Sequence, residues 1–203
     1  MHLLSIDCET TGVDVNNDKI LELAVISQAD QFAELKVFHT AIAYARIEGN
    51  AYALAMNVRL LAHIGGYGKG KPLLWADSQT EELRIRTVVE AANDLAIFLA
   101  NCMPSEGKFN VCGKNVGSFD VPLLLSNGLL TRATVDARFN YGYLDPGPMF
   151  AIENDRRMPS LETVLGRAGV DHDTKTLHSA YWDARYTLEA VRAGLQRNSN
   201  SQE

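Results

Sequence analysis

The stretch Leu3-Leu4-Ser5-Ile6-Asp7-Cys8-Glu9-Thr10-Thr11-Gly12 is the place from which the fold can be read. Leu3–Ile6 is a short apolar run that ends on a carboxylate, the pattern of a buried strand whose last residues reach a polar place. Asp7 and Glu9 stand two residues apart, so their side chains leave the same face of a sheet. Two carboxylates on one face raise each other's pKa unless a cation lies between them. Oxygen ligands of this kind suit Mg²⁺ or Mn²⁺. Gly12 permits a sharp turn, and the amides of Thr10 and Thr11 are expected to be free to meet a ligand. The plainer alternative is a strand end with two solvated acids.

Outward from this segment, Ile20–Ser27 and Phe32–Thr40 are β-branched and apolar runs separated by the polar Gln28–Gln31, which predicts a hairpin. With Asp14–Lys19 as a turn, the chain opens on three antiparallel strands. Gly65–Pro72 is the clearest loop. From Thr80 to about Cys102 the apolar residues Leu83, Val88, Ala91, Ala92, Leu95 and Leu99 follow a helical period, with Ser78 and Glu81 as the expected capping box. Phe109–Cys112 predicts a further strand, followed by a helix over Val121–Asn127 that Gly128 closes. Ser160 caps a helix ending at Gly169, and Tyr181–Ala193 is the last helix, stopped by Gly194. Residues 196–203 form a polar tail expected to be disordered. Strands, then helix, strand and helices predict an α/β fold: a mixed sheet with helices on its faces.

Composition narrows the rest. A chain of 203 residues with 46% hydrophobic and 22% charged residues is expected to form one globular domain, residues 1–195. Apolar runs such as Leu95–Ala100 are too short to span a bilayer, and Met1–Asp7 meets a carboxylate too soon for a secretory leader. The three cysteines, Cys8, Cys102 and Cys112, lack metal-site spacing and are odd in number, which predicts free thiols and a cytoplasmic compartment. The net charge of −6 disfavours a protein that coats long duplexes. It is compatible with a carboxylate cluster whose metals neutralise it and attract phosphate.

Two more segments complete the picture. Asn115-Val116-Gly117-Ser118-Phe119-Asp120 follows the strand Phe109–Cys112, so Asp120 can enter the acidic end from a helix start. Its plain alternative is an N-cap before Val121-Pro122. His178-Ser179-Ala180-Tyr181-Trp182-Asp183 places Asp183 in the first turns of the last helix and His178 just before it. Histidine can take and give a proton near neutrality, although a single histidine is more often a surface group.

Together, in this order, the three segments resemble the DEDDh branch of the DnaQ-like 3′–5′ exonucleases, whose fold is ribonuclease-H-like. The resemblance runs from Leu3 to about Ala193 and rests on Asp7, Glu9, Asp120, His178 and Asp183. Leu144-Asp145 and Ser160-Leu161-Glu162 add weaker agreement, whereas Pro146-Gly147-Pro148 and the glycine-lysine loop depart from the pattern. The resemblance implies hydrolysis of the terminal phosphodiester of single-stranded DNA or RNA, releasing nucleoside 5′-monophosphates. It implies two ions of Mg²⁺ or Mn²⁺, about 3.5–4 Å apart, with Asp7 bridging them, Glu9 and Asp183 completing one site and Asp120 the other. His178 is the implied general base. Thr10, Thr11, Gly12, Asn115 and Phe119 are the implied substrate contacts. The implied partners are a 3′ end and, in some relatives, a polymerase or other replication or repair protein, or a second copy of the chain.

Asn115 stands five residues before Asp120, as in oligoribonucleases, while Phe119 is the residue of DNA-acting members, so the sugar preference stays open. The alternatives are an oligoribonuclease-like enzyme acting on very short RNA and a non-catalytic binding module on the same fold. Lys69, Lys71, Tyr67 and Trp75 in the glycine-rich region could follow a phosphate backbone, against the plainer reading of a solvated loop. Lys114, Arg156, Arg157 and Arg185 are candidate phosphate contacts. Asp14–Asp18 begins like a calcium loop but lacks its glycine and closing glutamate, which favours a hairpin turn.

Overall fold

A computed structural model describes residues 1–66 and 83–200. Strand β1 (Leu3–Thr10) runs through the whole opening segment and so carries Asp7 and Glu9 within the sheet. It pairs antiparallel with β2 (Ile20–Gln28), which pairs antiparallel with β3 (Lys36–Ala43). Strand β4 (Arg84–Thr87) lies parallel to β3, and β5 (Asn110–Cys112) parallel to β1, giving the order β4-β3-β2-β1-β5. The helices are α1 (Ala51–Met56), α2 (Val58–Ile64), α3 (Val88–Asn101), α4 (Asp120–Ser126), α5 (Arg132–Arg138), α6 (Pro146–Met149), α7 (Leu161–Ala168) and α8 (Ala180–Asn200). Three antiparallel strands followed by parallel ones are the expected mixed sheet. No helix of the described residues is long and apolar enough to cross a membrane.

The period-2 pattern of β1 divides the core. Leu4, Ile6 and Cys8 join Ala91, Leu95 and Leu99 of α3 and Val121, Leu123 and Leu124 of α4 on one face. Leu3 joins Ala24, Ile26 and the α8 residues Ala180, Ala184, Leu188 and Val191 on the other. The alanines let α8 lie close enough for Ser5 Oγ to donate to the Ala184 carbonyl at 2.7 Å. Asp7 and Glu9 share this odd-numbered face. The consequence is simple: the acids point toward the start of α8. The outer side of α8 is covered by α7, with Phe150, Val164, Leu165, Tyr186 and Ala190 as the second layer.

Several local expectations are met. Ser160 caps α7 by accepting from the Thr163 amide, and Gly169 ends it at φ 70°, a left-handed conformation that glycine adopts without a Cβ penalty. Asp14–Asp18 is the predicted hairpin turn, tied by the Asp14 amide to Asp18 Oδ2 at 2.8 Å. Others are corrected. Phe32 is 89% exposed in the turn before β3, because the polar segment continues past it. Arg84–Thr87 is a strand rather than helix, since its backbone completes the edge of β3. Helix α3 therefore starts later, and its capping box is Thr87 with Glu90. Ser78, Glu81 and most of the Gly65–Pro72 loop, like Tyr67, Lys69, Lys71 and Trp75, lie outside the described residues.

Gly194 does not stop the last helix. It is absent from the positive-φ glycines, and a Cβ there would fall 2.6 Å from Met149 Cε. The glycine serves packing, so residues 196–200 of the expected tail continue as helix. Pro146-Gly147-Pro148 also has a place. It forms α6, with Pro146 in the first turn and Asp145 capping by accepting from the Gly147 amide.

Candidate active site

Strand β5 pairs with β1 only at Leu3–Ser5, so among the described residues the later half of β1 has no strand neighbour on that side. The chain leaving β5 turns through Asn115, at φ 59°, and delivers the start of α4 to this open edge. Asp120 is the first residue of α4 and is 2% exposed; Phe119 takes the cap position. Its carboxylate accepts from its own backbone amide, from the Cys8 thiol and from backbone at Cys8, so it ties the helix start to the strand edge. Burial dominates and lifts its pKa to about 7.

On the other side of β1, helix α8 supplies Asp183. The Asp183 amide donates to the Ser179 carbonyl at 2.9 Å, and the His178 amide donates to Asp183 Oδ2 at 3.4 Å. Burial raises the Asp183 pKa to about 7, with the charge of Glu22 adding to the rise. Its other oxygen, Oδ1, is buried with no hydrogen-bond partner. An orphaned carboxylate oxygen is costly to bury. Glu9 is lifted from 4.5 to about 8 by burial and then by Glu22 and Asp183, with a hydrogen bond from Asn57 acting the other way. Asp7 is raised well above the usual carboxylate range by burial and then by Asp120, Asp183, Glu9 and Glu22.

Ligand atoms of Glu9, His178 and Asp183 lie within 4.8 Å of one another. Asp7 and Asp120 lie outside that tight group, yet Asp7 feels the charge of every other acid. The donors are mostly carboxylate oxygens, their pKa values are raised together, and one oxygen has no protein partner. That donor set fits hard divalent cations, which would remove the repulsion and satisfy the orphan.

The expected substrate contacts divide. The Thr11 amide is not free: it donates to the Lys19 carbonyl at 2.9 Å, and Thr11 is fully buried. Its hydroxyl donates to Asp18 Oδ1 at 2.8 Å, so the residue pins the hairpin turn. Thr10 is also buried, its hydroxyl donating to the Gly12 carbonyl at 2.6 Å. Gly12 sits against the Asp18 carboxylate, where a side chain would collide. Asn115 is exposed, and its amide donates to Asp145 Oδ2 at 2.9 Å. That bond gives Leu144-Asp145 a role in holding the turn before Asp120. Phe119 packs partly against the core. Arg185 is engaged, paired with Glu189 at 3.2 Å and lying over the Trp182 ring.

A cleft of about 580 Å³ opens beside the acids, bounded by Glu22, Asn57, Arg59, Lys175, His178 and Trp182 among others. Arg59 and Lys175 are exposed on its rim, and among the described residues neither has an ion pair. Glu22, His39, Asn57, Arg59 and Lys175 at this end escaped the sequence reading. The signal for Glu22 was a lone acid in an otherwise apolar strand, whose place opposite Glu9 requires the register to be known.

Comparison with known proteins agrees with this architecture. Residues 4–56 match the RNase T exonuclease family. The chain is 29% identical over 119 residues to an oligoribonuclease of Paracidovorax citrulli, covering 58% of this chain and 54% of that protein. It is 30% identical over 118 residues to an oligoribonuclease of Burkholderia lata, covering 57% and 50%. The match thus spans about half the length of either relative. Among solved structures, a moderately thermophilic exonuclease I from Methylocaldum szegediense superposes with a TM-score of 0.62 at 16% identity, covering 97% of this chain and 40% of that one. The segment that matches this exonuclease family holds the acidic motif of the first strand, and the mixed five-stranded sheet shares the ribonuclease-H-like fold of the solved exonuclease.

Proposed function

We propose that the chain is a metal-dependent 3′–5′ exonuclease that hydrolyses the terminal phosphodiester of single-stranded nucleic acid and releases nucleoside 5′-monophosphates. The observation that carries this is the convergence of Asp7, Glu9, Asp120 and Asp183, with raised pKa values and an orphaned oxygen, beside a cleft with unpaired cations on its rim. Asp7 would serve both ions, Glu9 and Asp183 would complete one site, and Asp120 the other. Bound there, Mg²⁺ or Mn²⁺ would supply a water acidic enough to ionise near neutrality and charge to balance the departing oxygen.

The remaining chemistry belongs to the chain. A ring nitrogen of His178, close to Glu9 and Asp183, takes the proton of the attacking water. The water oxygen bonds to phosphorus as the bond to the 3′ oxygen breaks, and that oxygen is protonated from solvent. The exposed position of His178 lets it pass its proton on. Arg59 and Lys175 would hold phosphates of the bound strand, and Trp182 offers a face for a base. A second reading narrows the substrate to very short RNA. It is supported by the relatives named oligoribonuclease and by the five-residue step from Asn115 to Asp120.

The test is a 5′-labelled strand, DNA and RNA, long and as dinucleotides to pentanucleotides, with Mg²⁺ or Mn²⁺. Mononucleotides should appear, and Asp7→Ala should abolish them. Binding of single strands without metal-dependent cleavage of any would replace the enzyme with a binding module.

A further inference from the structure

The proposed chemistry leaves one buried acid at this end of the sheet without a task. Glu22 is 3% exposed on β2 and lies directly across from Glu9 in the β1–β2 register. Its Oε1 is hydrogen-bonded to His39 Nε2 at 2.6 Å and accepts from Ser179 Oγ at 3.4 Å. His39, on β3, shares this face of the sheet because it pairs with Ala24, two residues along from Glu22. Its ring centroid lies 5.6 Å from that of Tyr181, in the first turn of α8. The glutamate and the histidine therefore both dock on the residues that open this helix.

Those residues flank a strained position. Among the described residues, His178 is one of two non-glycine residues with positive φ, at 68°. A left-handed histidine persists only where its surroundings hold it. Its carbonyl side continues into Ser179, whose own carbonyl receives the Asp183 amide. Ser179 is thus tied twice, to the helix through its backbone and to the sheet through Glu22.

We propose that Glu22, held by His39, is a positioning residue: it anchors Ser179 and so fixes the His178 ring beside Glu9 and Asp183. The inference rests on His178 being the base of the proposed reaction. Glu22 touches no reacting atom in this scheme; it acts through the backbone joining residues 178 and 179. A tie that merely docked α8 onto the sheet would affect stability and would slow the enzyme whether or not the base were present. A tie that orients the base matters only while the base is there.

The experiment uses that difference. Glu22→Ala, Ser179→Ala and Ser179→Thr are made in the wild-type chain and in His178→Ala. Turnover and KM are read on a 5′-labelled oligonucleotide with Mn²⁺, Mn²⁺ binding is read by calorimetry, and folding by thermal unfolding in chelator. In the wild-type chain Glu22→Ala and Ser179→Ala should each lower kcat, by roughly 10-fold or more for Glu22→Ala, the scale of misplacing a reacting group by a fraction of an ångström. KM should stay within about threefold, and Ser179→Thr should restore the rate. In His178→Ala neither change should alter kcat by more than about twofold, since non-additivity marks residues acting as one unit. For Ser179→Ala, Mn²⁺ affinity should stay within about threefold of wild type. Equal losses of kcat in both backgrounds, or no loss in the wild-type chain, would overturn the inference. If Glu22→Ala does not fold, the Ser179 variants decide alone. A His178→Ala enzyme at full rate would remove the base reading and this inference with it. A slow His178→Ala beside a fast Ser179→Ala removes the inference only.

Discussion

Replacing Glu9 by glutamine should make the metal-free protein more stable, not less. Glutamine keeps the shape of the side chain and can still accept from Asn57. Glu9 has its pKa lifted from 4.5 to about 8 in the folded chain, so folding at pH 7 requires proton uptake. At ~1.4 kcal/mol per pH unit above the unfolded value, that uptake costs about 3 kcal/mol. The sign follows from the direction of the shift. A raised carboxylate leaves the fold at its full stability below the unfolded pKa and erodes it as pH rises through the folded one. The Glu9→Gln chain avoids this loss, which for a chain of this size is a gain in Tm of roughly 6–12 °C at pH 7. The gain should shrink toward zero as pH falls to about 4.5, the unfolded value. Asp120 and Asp183, each raised to about 7, remain in both proteins and face a neutral side chain at position 9 in either fold at pH 7, so they contribute alike there. The assay is scanning calorimetry in chelator from pH 4.5 to 8, repeated with Mn²⁺. Cation should raise the Tm of the wild-type chain more at pH 8 than at pH 5, and raise that of Glu9→Gln much less. A Glu9→Gln protein no more stable than wild type in chelator at pH 7, or equally stabilised at pH 4.5, would refute the reasoning.

Three further outcomes are expected. His178→Ala should lower kcat by roughly 10²–10⁴-fold while calorimetry still records Mn²⁺ binding; loss of the metal would make His178 a ligand instead. Arg59→Ala with Lys175→Ala should raise KM and flatten the dependence of log binding on log salt by about 0.7 for each phosphate contact removed on a single strand, measured by titrating labelled oligonucleotide at several salt concentrations; an unchanged slope would put the strand elsewhere. Gly49→Ala should destabilise the chain by ~1–3 kcal/mol of overpacking, because its Cβ would collide with the Thr11 carbonyl and side chain, and chemical denaturation would show it. The Asn50 amide donates to that same carbonyl at 2.8 Å, so the collision would also strain this tie.

The elements that were legible in the sequence are those whose cause is local. The left-handed stop at Gly169, the Ser160 cap and the hairpin turn at Asp14–Asp18 each follow from a side chain acting on backbone a few residues away. The alternation of β1 likewise put Asp7 and Glu9 on one face before any partner strand was known. Gly194 misled because glycine serves two purposes: ending a helix and admitting a close neighbour. Only the contact with Met149 and Phe150 shows which. The start of α3 misled for a related reason, as Arg84–Thr87 has a strand edge to complete, and that edge is distant in sequence.

The sequence by itself determined the α/β class and the acidic motifs, and its resemblance to a known family pointed to the five residues on which the chemistry is proposed to rest. What tertiary structure alone decided is which groups become neighbours and which are already engaged. It spent the Thr11 amide on Lys19, turned Asp120 onto Cys8, and set Glu22 opposite Glu9 with His39 and Ser179 around it. Strand register and helix docking fix such pairings through the sum of many weak contacts along the whole chain, and no short window of sequence contains that sum.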